Sequence, residues 1–165
     1  MDEKLKEAFH KVYEGEANAS LRLKIFAKKA EQEDLPQMAK LFRVIAFSEE
    51  IHGERALRML KEIKDTDTNL KESFASETHV AKVAYDNFIK LAEEIKDTGA
   101  SNIFSNSRDV EDGHAKLYKK AISHLIGEQK TTYYVCQVCG YVSDGALPEV
   151  CPVCSAPKDQ FVEFN

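Results

Sequence analysis

Six polar side chains sit where amphipathic helices should be apolar, and this constrains the chain more than any other feature. Hydrophobic periodicity predicts four long helices, at roughly 3–33, 36–64, 69–97 and 101–126. In the first the apolar stripe runs Leu5, Phe9, Val12, then Glu16, then Ala19, Leu23, Phe26 and Ala30. In the second it runs Met38, Leu41, Phe42, Ile45, then Glu49 and His52, then Ala56, Met59 and Ile63. The third reads Leu70, Phe74, Glu77, Ala81, Ala84, Phe88, Leu91, Ile95; the fourth reads Ile103, Ser107, Glu111, His114, Tyr118, Ala121, Leu125. Every stripe keeps the three- and four-residue steps of one buried helical face.

Burying one unpaired carboxylate costs several kcal/mol, and four together repel one another. A pair of metal cations removes that objection by supplying the opposite charge. The pattern also repeats: Glu16 to Glu49 is 33 positions and Glu77 to Glu111 is 34, each second glutamate being followed three residues later by histidine. One helical hairpin used twice thus offers two glutamates and one histidine per copy, and i, i+3 spacing sets Glu and His side by side. Four carboxylates and two imidazoles form a di-iron or di-manganese ligand set. Glu50 and Asp112 fall off the stripes and are expected to be solvated or to support the ligands from outside. His10 and His124 lack a carboxylate at ligand spacing, and Tyr13, Tyr85 and Tyr118 are expected to be core aromatics.

Local punctuation sets the helix boundaries. Asp34 and Pro36 read as a cap and first turn, the run after Lys64 as capping residues, Gly99 as a stop and Ser101 as the next cap. Short connections make the helices antiparallel neighbours in a four-helix bundle.

The composition then changes. All four cysteines and three of the four prolines lie beyond Tyr133, in two C-x-x-C pairs, Cys136/Cys139 and Cys151/Cys154, separated by eleven residues. The division is a helical domain over 1–127, a linker over 128–132 and a four-cysteine domain over 133–165. Paired C-x-x-C turns aim backbone N–H groups at the sulfurs and hold one tetrahedral ion; zinc and iron both accept four thiolates. Gly140 suits a turn of positive φ and Pro152 stiffens the second turn. With 23 Lys+Arg against 28 Asp+Glu, nucleic acid and anionic membrane are not expected partners. The N-terminal stretch is charged and no run is long enough to span a bilayer, so a cytoplasmic location is expected, where paired cysteines mean metal or redox chemistry.

The segments "CQVCGYV", "CPVC" and "APKDQF" resemble a rubredoxin domain, while "GEANA", "AFSEEIHGERAL", "ASET" and "DVEDGHAKLY" resemble the helix motifs of the rubrerythrins. The resemblance covers essentially the whole chain. It implies a mainly α fold, a ferritin-like four-helix bundle followed by a small β/loop rubredoxin-like domain. It places one iron of a pair on Glu16, Glu49 and His52 and the other on Glu77, Glu111 and His114, with Glu49 and Glu111 bridging. It puts a single redox-active iron, rather than zinc, on Cys136, Cys139, Cys151 and Cys154.

One position departs from the family pattern: where a further glutamate usually follows the third-helix ligand by three residues, this chain has Val80. The neighbouring His79 points about 100° away round the helix and is no replacement.

The resemblance implies reduction of hydrogen peroxide to water in oxidative-stress defence. Electrons would come from an external donor, a rubredoxin or an NAD(P)H-dependent reductase, through the cysteine-held iron. It also implies a homodimer, and the short linker favours a tail placed over a partner subunit's site. Two rivals follow: an O₂-reducing oxidase or ferroxidase, favoured by the loss of the extra carboxylate at Val80, and a non-catalytic metal-binding or electron-transfer protein.

Overall fold

The computed structural model describes residues 1–123 and 130–165. The chain divides into two compact units, Met1–Lys64 and Asp65–Asn165.

The first unit is an antiparallel hairpin of α1 (Glu3–Gln32) and α2 (Pro36–Leu60). Asp2 caps α1 by accepting from the Lys4 and Leu5 N–H groups. What the hairpin buries is a seam of small residues: Ser20, Ala27 and Ala30 of α1 against Ala39, Ala46, Gly53 and Ala56 of α2. Such residues let two helix backbones approach closely. The large members of the predicted stripes flank the seam and stay half-exposed, Val12 and Phe26 each at 45% and Ile45 at 40%.

The second unit begins with α3 (Thr66–His79), capped by Asp65, which accepts from the Thr68 backbone N–H and hydroxyl. A π turn over Val80–Ala84 joins it to α4 (Tyr85–Glu94), the Tyr85 N–H reaching back to the Val80 carbonyl. Just before that turn the Thr78 hydroxyl donates to the Phe74 carbonyl at 2.7 Å, a back-bond of the kind that bends helices. α5 (Thr98–Ile122) returns antiparallel, burying Val110 and Ala115. Tyr85, Phe88 and Phe104 form an aromatic cluster with centroids 5.5–6.4 Å apart.

The tail folds into a three-stranded antiparallel sheet of order β2-β1-β3, with β1 Tyr133–Cys136, β2 Val142–Asp144 and β3 Phe161–Phe164. Its small core is Cys136, Cys151 and Ala156, covered by Tyr141, Val153 and Phe161.

Several predicted boundaries move. The stop before α5 is Lys96, not Gly99, and the cap is Asp97, which accepts from the Ala100 N–H at 2.9 Å, not Ser101. α2 ends four residues earlier than expected, on left-handed Lys61, and Asp34 is itself left-handed, so Leu35 occupies the cap position of α2. His124, Leu125 and the rest of the predicted final turn of the fourth helix lie outside the described residues, as do linker residues 128 and 129.

Candidate metal centres

Each hairpin brings its two glutamates and one histidine to a single point. In the first unit, His52 Nδ1 stands 3.0 Å from Glu49 Oε2 and 3.7 Å from Glu16 Oε1. The two helices run close at the level of the site, since a Cβ built on Gly53 would stand at ordinary contact distance, 3.7 Å, from Glu16 Cβ. In the second unit His114 Nδ1 lies 2.8 Å from Glu111 Oε2, and Glu77 joins them from α3. In both groups one potential ligand atom from each residue lies within 4.8 Å of the others. Burial pushes the Glu77 carboxyl up, the adjacent Glu111 carboxylate adds to it, and His114 opposes. A carboxyl pair held this close invites a shared cation.

The remaining polar candidates do not join. Glu50 accepts from Ser20 and pairs with Lys24, and those bonds hold its carboxyl below the usual range. Asp112 pairs with Lys116, His10 pairs with Glu62 at 3.3 Å, and His79 is exposed. Tyr85 belongs to the aromatic cluster, whereas Tyr118 lines a cleft of about 480 Å³ together with Glu77 and His114.

In the tail, Cys136 Sγ lies 3.7 Å from Cys154 Sγ and Cys139 Sγ 3.6 Å from Cys151 Sγ. A disulfide needs about 2.0 Å. Metal–sulfur bonds of about 2.3 Å at tetrahedral angles put sulfurs roughly 3.8 Å apart, so the four thiols fit one ion. The two knuckles are geometric copies. Gly140 N–H donates to the Cys136 carbonyl at 2.8 Å, and Ser155 N–H to the Cys151 carbonyl at 2.9 Å. Cys136 and Cys151 N–H in turn donate to the Tyr141 and Ala156 carbonyls. The left-handed position is filled by Gly140 (φ 84°) in one and by Ser155 (φ 62°) in the other. Serine there carries no sequence signal, so only the geometry reveals the equivalence. Burial raises the Cys139 thiol, against the Tyr141 N–H, and raises Cys154. At Cys136 burial is outweighed by N–H donation from Cys139 and Val138, which lowers it. A bound cation would favour the thiolate at all four.

The helical residues 5–122 match the family model described as Rubrerythrin. The chain belongs to the rubrerythrin family. Residues 134–162 match the model for the rubrerythrin rubredoxin-like domain. Rubrerythrin-2 of Clostridium acetobutylicum is 29% identical, the match covering 92% of each chain. Nigerythrin of Nitratidesulfovibrio vulgaris is 28% identical, covering 91% of this rubrerythrin and 81% of the relative. The solved structure of partially reduced nigerythrin superposes with a TM-score of 0.59 at 27% identity, covering 96% of this chain and 86% of that one.

The fold class is therefore ferritin-like helices followed by a small rubredoxin-like domain, and the cofactors are an iron pair and one cysteine-held iron. Family membership makes the chain a di-iron oxidoreductase of oxidative-stress defence that takes electrons from a partner through its rubredoxin-like domain. Among the described residues no helix is long and apolar enough to cross a membrane.

Proposed function

We propose that this rubrerythrin is a hydrogen peroxide reductase of the cytoplasm, supplied with electrons by an NAD(P)H-dependent reductase or a separate rubredoxin. The carrying observation is the duplicated Glu, Glu, His grouping, once in each unit, in a chain that also holds a four-thiol module. Glu16, Glu49 and His52 would hold one iron, Glu77, Glu111 and His114 the other, with Glu49 and Glu111 shared between them. Cys136, Cys139, Cys151 and Cys154 would hold the third. The functional division is 1–127 and 133–165, joined by the linker.

When bound, the iron pair supplies the two electrons that cleave the O–O bond, and the tetrathiolate iron returns them singly. The chain's own part is to hold and orient. Each imidazole is fixed through Nδ1 against a carboxylate of its own helix, 3.0 Å at His52 and 2.8 Å at His114. The carboxylates are charge-matched to hard cations and the thiolates to a soft site whose coordination is closed, so the two chemistries stay apart. Tyr118, Leu117 and Leu70 line the cleft beside Glu77 and His114 and give it a largely apolar wall.

Rapid mixing tests this reading. Reduced, iron-loaded protein would meet stoichiometric hydrogen peroxide and, separately, O₂, while the colour of the oxidised tetrathiolate is followed. Fast recolouring with peroxide and slow recolouring with O₂ is the expected result. Comparable or faster reaction with O₂ would transfer the assignment to an oxidase or ferroxidase. That second reading rests on Val80, which opens the π turn one helical turn beyond Glu77 and supplies no carboxylate. Val80→Glu should raise peroxide turnover; an unchanged or lower rate would mean that six ligands already suffice.

A further inference from the structure

The cleft beside Glu77 and His114 is far larger than hydrogen peroxide needs. It encloses about 480 Å³, whereas a water molecule claims about 30 Å³ and hydrogen peroxide is little bulkier. A volume of several hundred cubic ångström is the size class of sites for small organic molecules. Its long direction follows from the antiparallel run of α3 and α5. Leu70 lies seven residues before Glu77 and Ala121 seven residues after His114, so both are displaced toward the same end of the helix pair. Seven residues of helix span about 10 Å. The cleft thus extends that far from the level of the carboxylate and the imidazole.

Its wall is chemically uniform. Leu70, Leu117, Ala121 and Val142 contribute aliphatic groups, and Tyr118 and Tyr133 contribute their rings. All six are half-buried, so the packing leaves them accessible from the cleft without exposing them fully. Among the described residues neither lysine nor arginine lines this cleft. The groove beside Glu16 and His52 differs on this point, since Arg55 is part of its lining. An apolar wall with polar groups at one level favours an apolar guest and orients it by its polar end. With no basic residue to meet it, a carboxylate or phosphate would lose hydration on entry and gain nothing in return.

We infer that the cleft of Glu77 and His114 receives the organic group of a neutral hydroperoxide, R–O–O–H with R alkyl or aryl, so that such compounds are substrates alongside hydrogen peroxide. The inference rests on the peroxidase reading above and adds a substrate class to it. The hydroperoxide takes up two electrons from the reduced iron pair, which the external donor restores, and two protons from solvent. Its O–O bond breaks, and R–OH and water leave. The chain's part is to hold R against Leu117 and Ala121 while the O–O–H end lies at the level of Glu77 and His114. Tyr118, one helical turn beyond His114 on α5, walls the passage between the two levels.

Cumene hydroperoxide and its alcohol, 2-phenyl-2-propanol, test this. The alcohol carries the same organic group and has no O–O bond, so its binding is read without turnover. Equilibrium dialysis against oxidised, iron-loaded, full-length protein should show saturable binding. Ala121→Phe fills the far end of the cleft and should weaken that binding by at least about tenfold, since one misfitted methylene in an apolar pocket is worth about 10–200-fold. The same variant should lower kcat/KM for cumene hydroperoxide by at least about tenfold relative to that for hydrogen peroxide. Val142→Thr keeps the shape of the wall and adds a hydroxyl, so it should weaken alcohol binding even where the bulkier variant fails to fold.

Absence of saturable binding, indifference to both substitutions, or an equal loss for the two peroxides would overturn the inference. Reduction of hydrogen peroxide without reduction of cumene hydroperoxide would overturn it alone. Reduction of neither by the unmodified protein would overturn the peroxidase reading with it.

Discussion

Exchanging the residues at the two knuckle positions should change the tail's stability in opposite directions by similar amounts. Gly140 and Ser155 occupy equivalent left-handed positions, φ 84° and 62°, with matching N–H donations to the carbonyls of Cys136 and Cys151. A non-glycine residue in that conformation costs roughly 1–2 kcal/mol in the folded state. Replacing glycine returns about 0.4–1 kcal/mol by restricting the unfolded chain. The net effect of Gly140→Ser is therefore a loss of about 1 kcal/mol, and Ser155→Gly should gain about the same. Steric cost is small at Gly140, since the nearest atom to a new Cβ, Val110 Cγ1, is at ordinary contact distance. The assay is guanidinium unfolding of metal-loaded protein, followed through the thiolate-to-metal absorption so that it reports the tail alone. The double exchange should return close to the parent value. A destabilised Ser155→Gly variant would refute the strain argument, because exposed Ser155 would then be holding the knuckle by something other than backbone conformation.

Removing one glutamate of a Glu, Glu, His group should separate the two kinds of iron. Glu49→Ala or Glu111→Ala should lose iron from the helical part while the ferric-thiolate absorption persists, checked by metal analysis against the visible spectrum. Lys61 and Lys96 end their helices in the left-handed conformation at φ 59° and 60°. Lys61→Gly and Lys96→Gly should each raise stability by about 0.5–1 kcal/mol, read from the midpoint of helix unfolding. Asp65→Ala should lower helix stability through loss of the α3 cap, read from the midpoint of helix unfolding. Hydrogen bonds from the Thr68 N–H and hydroxyl hold the Asp65 carboxyl below its ordinary value. The cap's contribution is thus complete above the unfolded aspartate range of about 3.9 and fades as pH falls through the lower folded value. In Asp65→Ala that part of the acid sensitivity of helix content should disappear.

The two ligand groupings were legible because charge in an apolar phase is a strong signal: six side chains at helical spacing, duplicated, have few physical explanations. The cysteine module was legible for a similar reason, its spacing being set by tetrahedral geometry. Helix ends were less so. Gly99 was the expected stop, yet the chain turns at Lys96, where the Asp97 N–H reaches the Ala92 carbonyl at 2.9 Å. Asp34 and Lys61 end their helices by the same device, with Leu35 N–H to Ala30 and Glu62 N–H to Leu57. A 6→1 bond compensates a backbone cost that glycine would have avoided, and sequence carries no trace of it. The π turn was equally silent, for nothing in the residues of Val80–Ala84 departs from ordinary helix composition. The predicted stripes caught Ala30 and Ala56 but otherwise favoured large apolar side chains, whereas the hairpin seam is alanine, serine and glycine, because close helix approach is limited by side-chain size.

The two glutamate–histidine groups are alike in sequence and unlike in surroundings. The side chain of His52 is 48% exposed and that of His114 is 27%. Glu77 and His114 share their cleft with Tyr133 and Val142 of the tail. A duplicated hairpin by itself would give two equivalent metal positions. The tail's Tyr133 and Val142 give the second group a wall that its sequence twin in the first hairpin does not share by repeat alone. Ligands of different softness cannot share one centre without compromise, and gathering the thiols in the tail while the carboxylates stay on the helices lets each centre keep its own donor set.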